Sequence, residues 1–221
     1  MTHYPFPDSR GTKIAFAAFF TAMLFLARDS MFTTAVIGFE KAQFLMLGVI
    51  CLLGVAFLIV NRRNLLQILK DRRMIVAGIA AAVLLLPMLV KRDWQLMYFS
   101  VLLCLLTAVF LSYFLTLREA AKYYVAILSV LGAYSVLAAY ILRIGVDSGA
   151  YAVPVFRNSM GFEFHNFFLS IVPDTYVKNR NFGIFREPGV YQFFLITALY
   201  LNNYEVEWKK PWQLWLVNGI L

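Results

Sequence analysis

The run "AQFLMLGVICLLGVAFLIV", residues 42–60, contains no Asp, Glu, Lys or Arg. Crossing the hydrocarbon core of a bilayer takes about 20 predominantly apolar residues in helical form. A helix can do so because it satisfies its own backbone hydrogen bonds where water is absent. This run has the length and the purity, and it assigns the chain to the integral membrane proteins. The whole composition agrees. Of 221 residues, 62% are hydrophobic, 17% aromatic and only 14% charged, with a mean hydropathy of +0.72. A soluble domain carries about 25% charged residues.

Further uncharged apolar runs lie at residues 14–27, 74–90, 94–117, 123–142 and 190–201. Those at 14–27 and 190–201 are short. Lys13 is placed to snorkel at the first, and Asn202, Asn203 and Tyr204 extend the last. The expected fold is all-α: a polytopic integral membrane protein of about six transmembrane helices. A final run, 211–221, has about half the length of a crossing, so it reads as the start of a seventh. On this reading residues 1–221 form a single transmembrane domain, the N-terminal fragment of a longer protein, with a long outer loop at 143–189.

Lys and Arg accumulate on the cytoplasmic side of short loops. With a cytoplasmic N-terminus, the inner segments carry Arg10, Lys13, Arg62, Arg63, Lys70, Arg72, Arg73, Arg118, Lys122, Lys209 and Lys210, and the outer short loops only Arg28, Lys41, Lys91 and Arg92. This orientation puts residues 143–189 outside. The net charge of +8 does not point to nucleic acid, because the densest basic cluster, residues 61–73, sits between two spans and suits anionic headgroups. The first run has the length of a signal peptide but no A-x-A cleavage site follows it, so it reads as a retained anchor. Cys51 and Cys104 fall within spans and have neither pairing nor metal spacing.

The span centres hold no Asp, Glu, Lys or Arg. Coupled carriers tend to keep one there, despite a cost of about 2.5–3.5 kcal/mol, because it does work. This weighs against a carrier, as does the lack of an internal repeat. Gln43, Ser129, Tyr134 and Gln192 are explained as well by interhelical hydrogen bonds as by a transport path.

Chemistry is therefore expected outside. The segment 143–189 far exceeds the usual connector of about 4–6 residues. Its aromatic residues, Phe156, Phe162, Phe164, Phe167, Phe168, Tyr176, Phe182 and Phe185 among them, argue against disorder. They suggest packing on the membrane face or a short re-entrant or interfacial helix near 164–172. Into that setting the chain brings Arg157, Glu163, His165, Asp174, Lys178, Arg180, Arg186 and Glu187. Each also has a plainer reading as an interfacial or headgroup-contacting side chain.

The segment closes on "RNFGIFREPGVYQFFL". Pro188 fixes φ and suits the first turn of a helix, where its missing N–H costs nothing, while its ring drives Glu187 into an extended conformation. A helix starting there would turn its unpaired N–H groups and positive dipole end outward, beside Arg186 and Arg180, as an anion site suited to diphosphate. Glu187 as an ordinary helix-start acid and Gly183 as an ordinary turn account for the same residues.

The wording of that stretch, Arg, two residues, Gly-Ile-Phe, one residue, Glu-Pro-Gly, then an aromatic helix, resembles the motif of bacterial O-antigen and capsular polysaccharide polymerases, relatives of the O-antigen ligases. The match covers residues 180–194. It implies a glycosyltransferase of the bacterial cytoplasmic (inner) membrane that joins repeat units on its outer face. The implied donor is an undecaprenyl-diphosphate-linked oligosaccharide. Membrane lipid, a flippase and chain-length regulators are the implied partners, with no cofactor and no metal. The matching positions are Arg180, Gly183, Phe185, Glu187, Pro188 and Gly189; Arg186 occupies a variable position.

Under this resemblance Arg180, Arg186 and Arg157 would bind the diphosphate. Glu187, or His165 or Glu163 in its place, would take the acceptor proton, and Phe162 or Tyr176 would stack on sugar. A ligase that moves finished polymer onto an acceptor has the same topology and stays open beside the polymerase. From other classes, a carrier or flippase for a lipid-linked glycan ranks next, and a non-catalytic scaffold last.

Overall fold

A computed structural model describes residues 10–27, 30, 39–60, 70–92, 98, 101–102, 104–105, 108–109, 111–112, 115–157, 161–174, 181–185 and 187–206. The chain is mostly helical. It divides into two compact units, one of residues 1–14 and 40–116, the other of residues 15–39 and 117–221. The expected seventh run, 211–221, lies outside the described residues.

In the first unit, α2 (Phe39–Val60) and α3 (Arg72–Lys91) follow the apolar runs closely. The described helical positions from 98 to 112 fall within the run at 94–117. α3 starts sharply because Asp71 caps it. Asp71 is extended (φ −65°, ψ 136°), and its Oδ1 accepts from the Arg73 backbone N–H at 2.8 Å. The Arg73 guanidinium returns to the same carboxylate through Nε at 3.2 Å and Nη2 at 3.1 Å, and donates through Nη1 to the Ser112 carbonyl at 2.6 Å. This fork holds the Asp71 carboxyl below its ordinary range.

α3 is apolar yet scarcely covered by protein, with only 11% of its span-length window buried. Ile75, Ile79, Val83, Leu86 and Leu89 all face outward. In water such a surface is unfavourable at about 25 cal/mol per Å²; hydrocarbon removes that cost.

In the second unit, the part of α1 (Arg10–Phe25) from residue 15 onward lays Phe16 and Phe20 on Tyr123, with ring centroids 6.2 and 5.9 Å apart. α4 runs continuously from Leu117 to Asp147, with a π-helical turn at Ala138–Leu142. Its buried positions, Ala121, Val125, Leu128, Gly132 and Ser135, recur at the three- and four-residue spacing of one helix face. α5 (Pro188–Leu201) buries Tyr191, Leu195 and Ala198 at the same spacing, then closes in a π-helical turn, Asn202–Val206. The two faces share one core with Leu24, Ile184 and Phe185.

By length and composition, α3 and α4 are each capable of crossing a membrane, and residues 14–25 form a shorter apolar helix.

The interfacial helix expected near 164–172 is not formed. A three-stranded antiparallel sheet stands there, β1 (Val155–Arg157), β2 (Glu163–Asn166) and β3 (Ile171–Pro173), in the order β1-β2-β3. The all-α expectation is amended to that extent. The cause is a period of two in the sequence. Phe164 turns inward onto Ile171 and Phe182, while Glu163, its neighbour, lies opposite Arg157 on β1. Asn166 then makes the hairpin turn, its Oδ1 accepting from the Phe168 N–H at 2.9 Å, and Phe168 adopts a left-handed φ of 70°.

β3 lies against the π-helical turn of α4, where Ala138, Phe167 and Val172 form a small core and the Tyr134 hydroxyl donates to the Phe167 carbonyl at 2.6 Å.

Candidate functional site

The Gly-Ile-Phe segment is an internal anchor. Gly183 takes φ +54°, and a Cβ placed there would stand 2.7 Å from Cζ of the Tyr191 ring. Both the dihedral and the space therefore require glycine. Asn181, buried beside it, accepts from the Gly183 N–H at 2.9 Å and donates through Nδ2 to Ser135 Oγ at 2.8 Å. Ser135 Oγ also lies 2.8 Å from the Tyr191 hydroxyl and donates to the Gly132 carbonyl at 2.8 Å. The Gly183 carbonyl accepts from the Ile171 N–H at 2.7 Å, which ties the segment to β3. Phe185 is fully buried, its ring stacked 4.5 Å from that of Phe194, and its backbone bridges Ser30.

From this anchor the chain emerges at Glu187, which is exposed and extended (φ −132°, ψ 138°). Pro188 takes the first helical turn, as its chemistry dictates, and the Glu187 side chain makes no capping hydrogen bond. The mouth of α5 is thus held from below by Phe185 and Tyr191. Gly189 lies in the first turn, with open space where a Cβ would stand.

The charged side chains of the sheet form a second group. Arg157 Nε donates to Glu163 Oε1 at 2.8 Å, with Nη2 on the same oxygen, across the β1–β2 pair. His165 presents Nε2 to Asp174 Oδ1 at 3.4 Å, while its Nδ1 is enclosed with no partner.

Arg143, at the last stretch of α4, is buried to 9% exposure and donates to the Asp147 carboxylate and the Asp174 carbonyl, each at 3.2 Å. The sequence did not single out Arg143 and Asp174 as a pair. They stand 31 positions apart, and no local signal joins them.

The structure therefore brings Arg157, Glu163 and His165 together on one small sheet and sets Glu187 at the helix mouth. Glu163 is committed to Arg157, and His165 to Asp174. Arg180, Arg186 and Tyr176 lie outside the described residues. Among the described residues no three His, Cys, Asp or Glu side chains converge as metal ligands.

No family model matches the chain, and neither a curated protein nor a solved structure matches it significantly.

Proposed function

We propose that this chain is a bacterial membrane glycosyltransferase that polymerises lipid-linked oligosaccharide repeat units of O-antigen, capsule or exopolysaccharide. It works on the outer face of the cytoplasmic membrane. The fold proposed for it is polytopic, with about six spans, a cytoplasmic N-terminus and residues 143–189 outside.

The observation that carries this reading is the anchoring of the Gly-Ile-Phe-x-Glu-Pro-Gly stretch. Gly183 is wedged under Tyr191, and Glu187 emerges exposed at the start of α5. A stretch that served only to begin a helix has no need of a left-handed glycine beneath a buried tyrosine. A stretch that must hold one carboxylate and one row of backbone N–H groups in fixed register does.

In the proposed reaction an acceptor sugar hydroxyl attacks the anomeric carbon of the undecaprenyl-diphosphate-linked donor. The new C–O bond forms as the bond to the diphosphate oxygen breaks, and the diphosphate leaves with the electron pair. Glu187 takes the hydroxyl proton. It is preferred over Glu163 and His165 because it belongs to the Glu-Pro-Gly stretch and stands exposed at the start of α5. Arg180 and Arg186, with the α5 N-terminus, offset the charge developing on the leaving group.

The test is genetic. The full-length gene is deleted in its host and complemented with wild type, Arg180→Ala or Glu187→Gln, and the surface polysaccharide is separated on a gel. The reading expects the long-chain ladder to collapse to single repeats and to return only with wild type. Free lipid-linked polymer accumulating in the deletion would instead identify a ligase. An unchanged ladder would dismiss both.

A further inference from the structure

A cavity of about 750 Å³ opens in the first unit, between α3 and the described helical residues 105, 108, 109 and 112. That size falls within the range of about 300–1,000 Å³ typical of small-molecule sites. Its wall is apolar, formed by Val76 and Ala77 on α3 and by Leu105, Ala108 and Val109 opposite. The small side chains of Ala77 and Ala108 leave the gap between the two helices.

One end is ionic. Asp71, Arg72, Arg73 and Ser112 line it, and the Arg73–Ser112 hydrogen bond closes the two helices there. Asp71 and Arg73 neutralise each other in their fork. Arg72 and the preceding Lys70 are exposed and have no ion-pair partner among the described residues. The mouth therefore keeps an excess of positive charge above a wall of hydrocarbon.

We infer that this groove binds an anionic phospholipid, with its headgroup phosphate at Arg72 and Lys70 and an acyl chain along Val76, Leu105 and Val109. A free phosphate would use the mouth and leave the apolar wall empty. A neutral lipid would fill the wall and leave the cations unmatched. Only a ligand that is anionic at one end and apolar along its length matches both. The mouth stands at the end of an apolar helix of 20 residues, the depth at which a headgroup lies once α3 crosses the bilayer. The inference rests on the membrane placement of α3 and not on glycosyl transfer.

The full chain, purified in detergent, is mixed with phosphatidylglycerol and phosphatidylcholine of identical acyl chains, and retained lipid is counted by native mass spectrometry. Wild type is expected to retain phosphatidylglycerol severalfold over phosphatidylcholine. Lys70→Gln with Arg72→Gln is expected to remove that preference, and Ala108→Trp, which fills the groove, to reduce retention of both lipids. Ala108→Leu serves as the milder filler if the tryptophan variant does not fold. Equal retention of the two lipids by wild type, or a preference that survives the double substitution, would overturn the inference. So would retention unaffected by the fillers, which would put the lipid elsewhere. Displacement by inorganic phosphate alone would reduce the site to a headgroup contact and also reject it. The polysaccharide ladder of the complemented host reports glycosyl transfer separately, so failure of one reading does not hide in the other.

Discussion

Gly183 lies directly beneath the Tyr191 ring, close enough that a single added Cβ would sit 2.7 Å from Cζ. Gly183→Ala is therefore expected to destabilise the second unit by more than the backbone term of about 1–2 kcal/mol for a left-handed L-residue. The thermal midpoint of the detergent-solubilised protein measures it. Adding Tyr191→Ala should recover part of the loss, because the two positions contact and their effects do not add. Strictly additive losses would mean that the ring is not what confines Gly183.

Ser135 is the hinge of a buried polar set, touching Asn181, Tyr191 and Gly132. Ser135→Ala strands the Asn181 amide and the Tyr191 hydroxyl, at about 1–3 kcal/mol for each unsatisfied group. Tyr191→Phe leaves Ser135 its other two partners and is expected to lose only about 1 kcal/mol. Unfolding midpoints for the pair should fall in that order, and a reversed order would discount the network.

The Arg157–Glu163 pair is exposed, with side chains 72% and 36% accessible. Exposed pairs contribute about 0–1 kcal/mol, so Glu163→Gln should fold like wild type. In the complemented host it should also leave the polysaccharide ladder intact, in contrast to Glu187→Gln. A folded Glu163→Gln protein that loses the ladder would transfer the role of base to Glu163.

Asp71 titrates lower in the folded protein than in the unfolded chain, because Arg73 binds its carboxylate. Its contribution is fully present above the ordinary carboxylate value of about 3.9. It is lost as pH falls through the lower folded value. Acid unfolding followed by circular dichroism should show wild type losing stability across that window, relative to neutral pH, more steeply than Asp71→Asn. Matching acid limbs would remove Asp71 as a cap that depends on its charge.

The mouth of α5 was legible in residue order, because proline acts locally: it fixes its own φ and extends the residue before it. The sheet was not. Its strands have only three or four residues, too short for a period of two to stand out in a segment this rich in aromatic residues. His165 and Glu163 stood out as titratable groups, yet the partners that occupy them come from cross-strand register, and one slipped residue would exchange the faces.

The sequence by itself determined that the chain forms helices long and apolar enough to cross a membrane, because transfer into hydrocarbon is a sum over neighbouring side chains and uncharged runs carry that sum wherever they pack. It also determined where α5 begins. Only the tertiary structure decided what Gly183, Asn181 and Tyr191 are for. Ser135 meets Asn181 across 46 positions and Tyr191 across 56, and a buried hydrogen bond exists only once packing has excluded water and brought donor to acceptor.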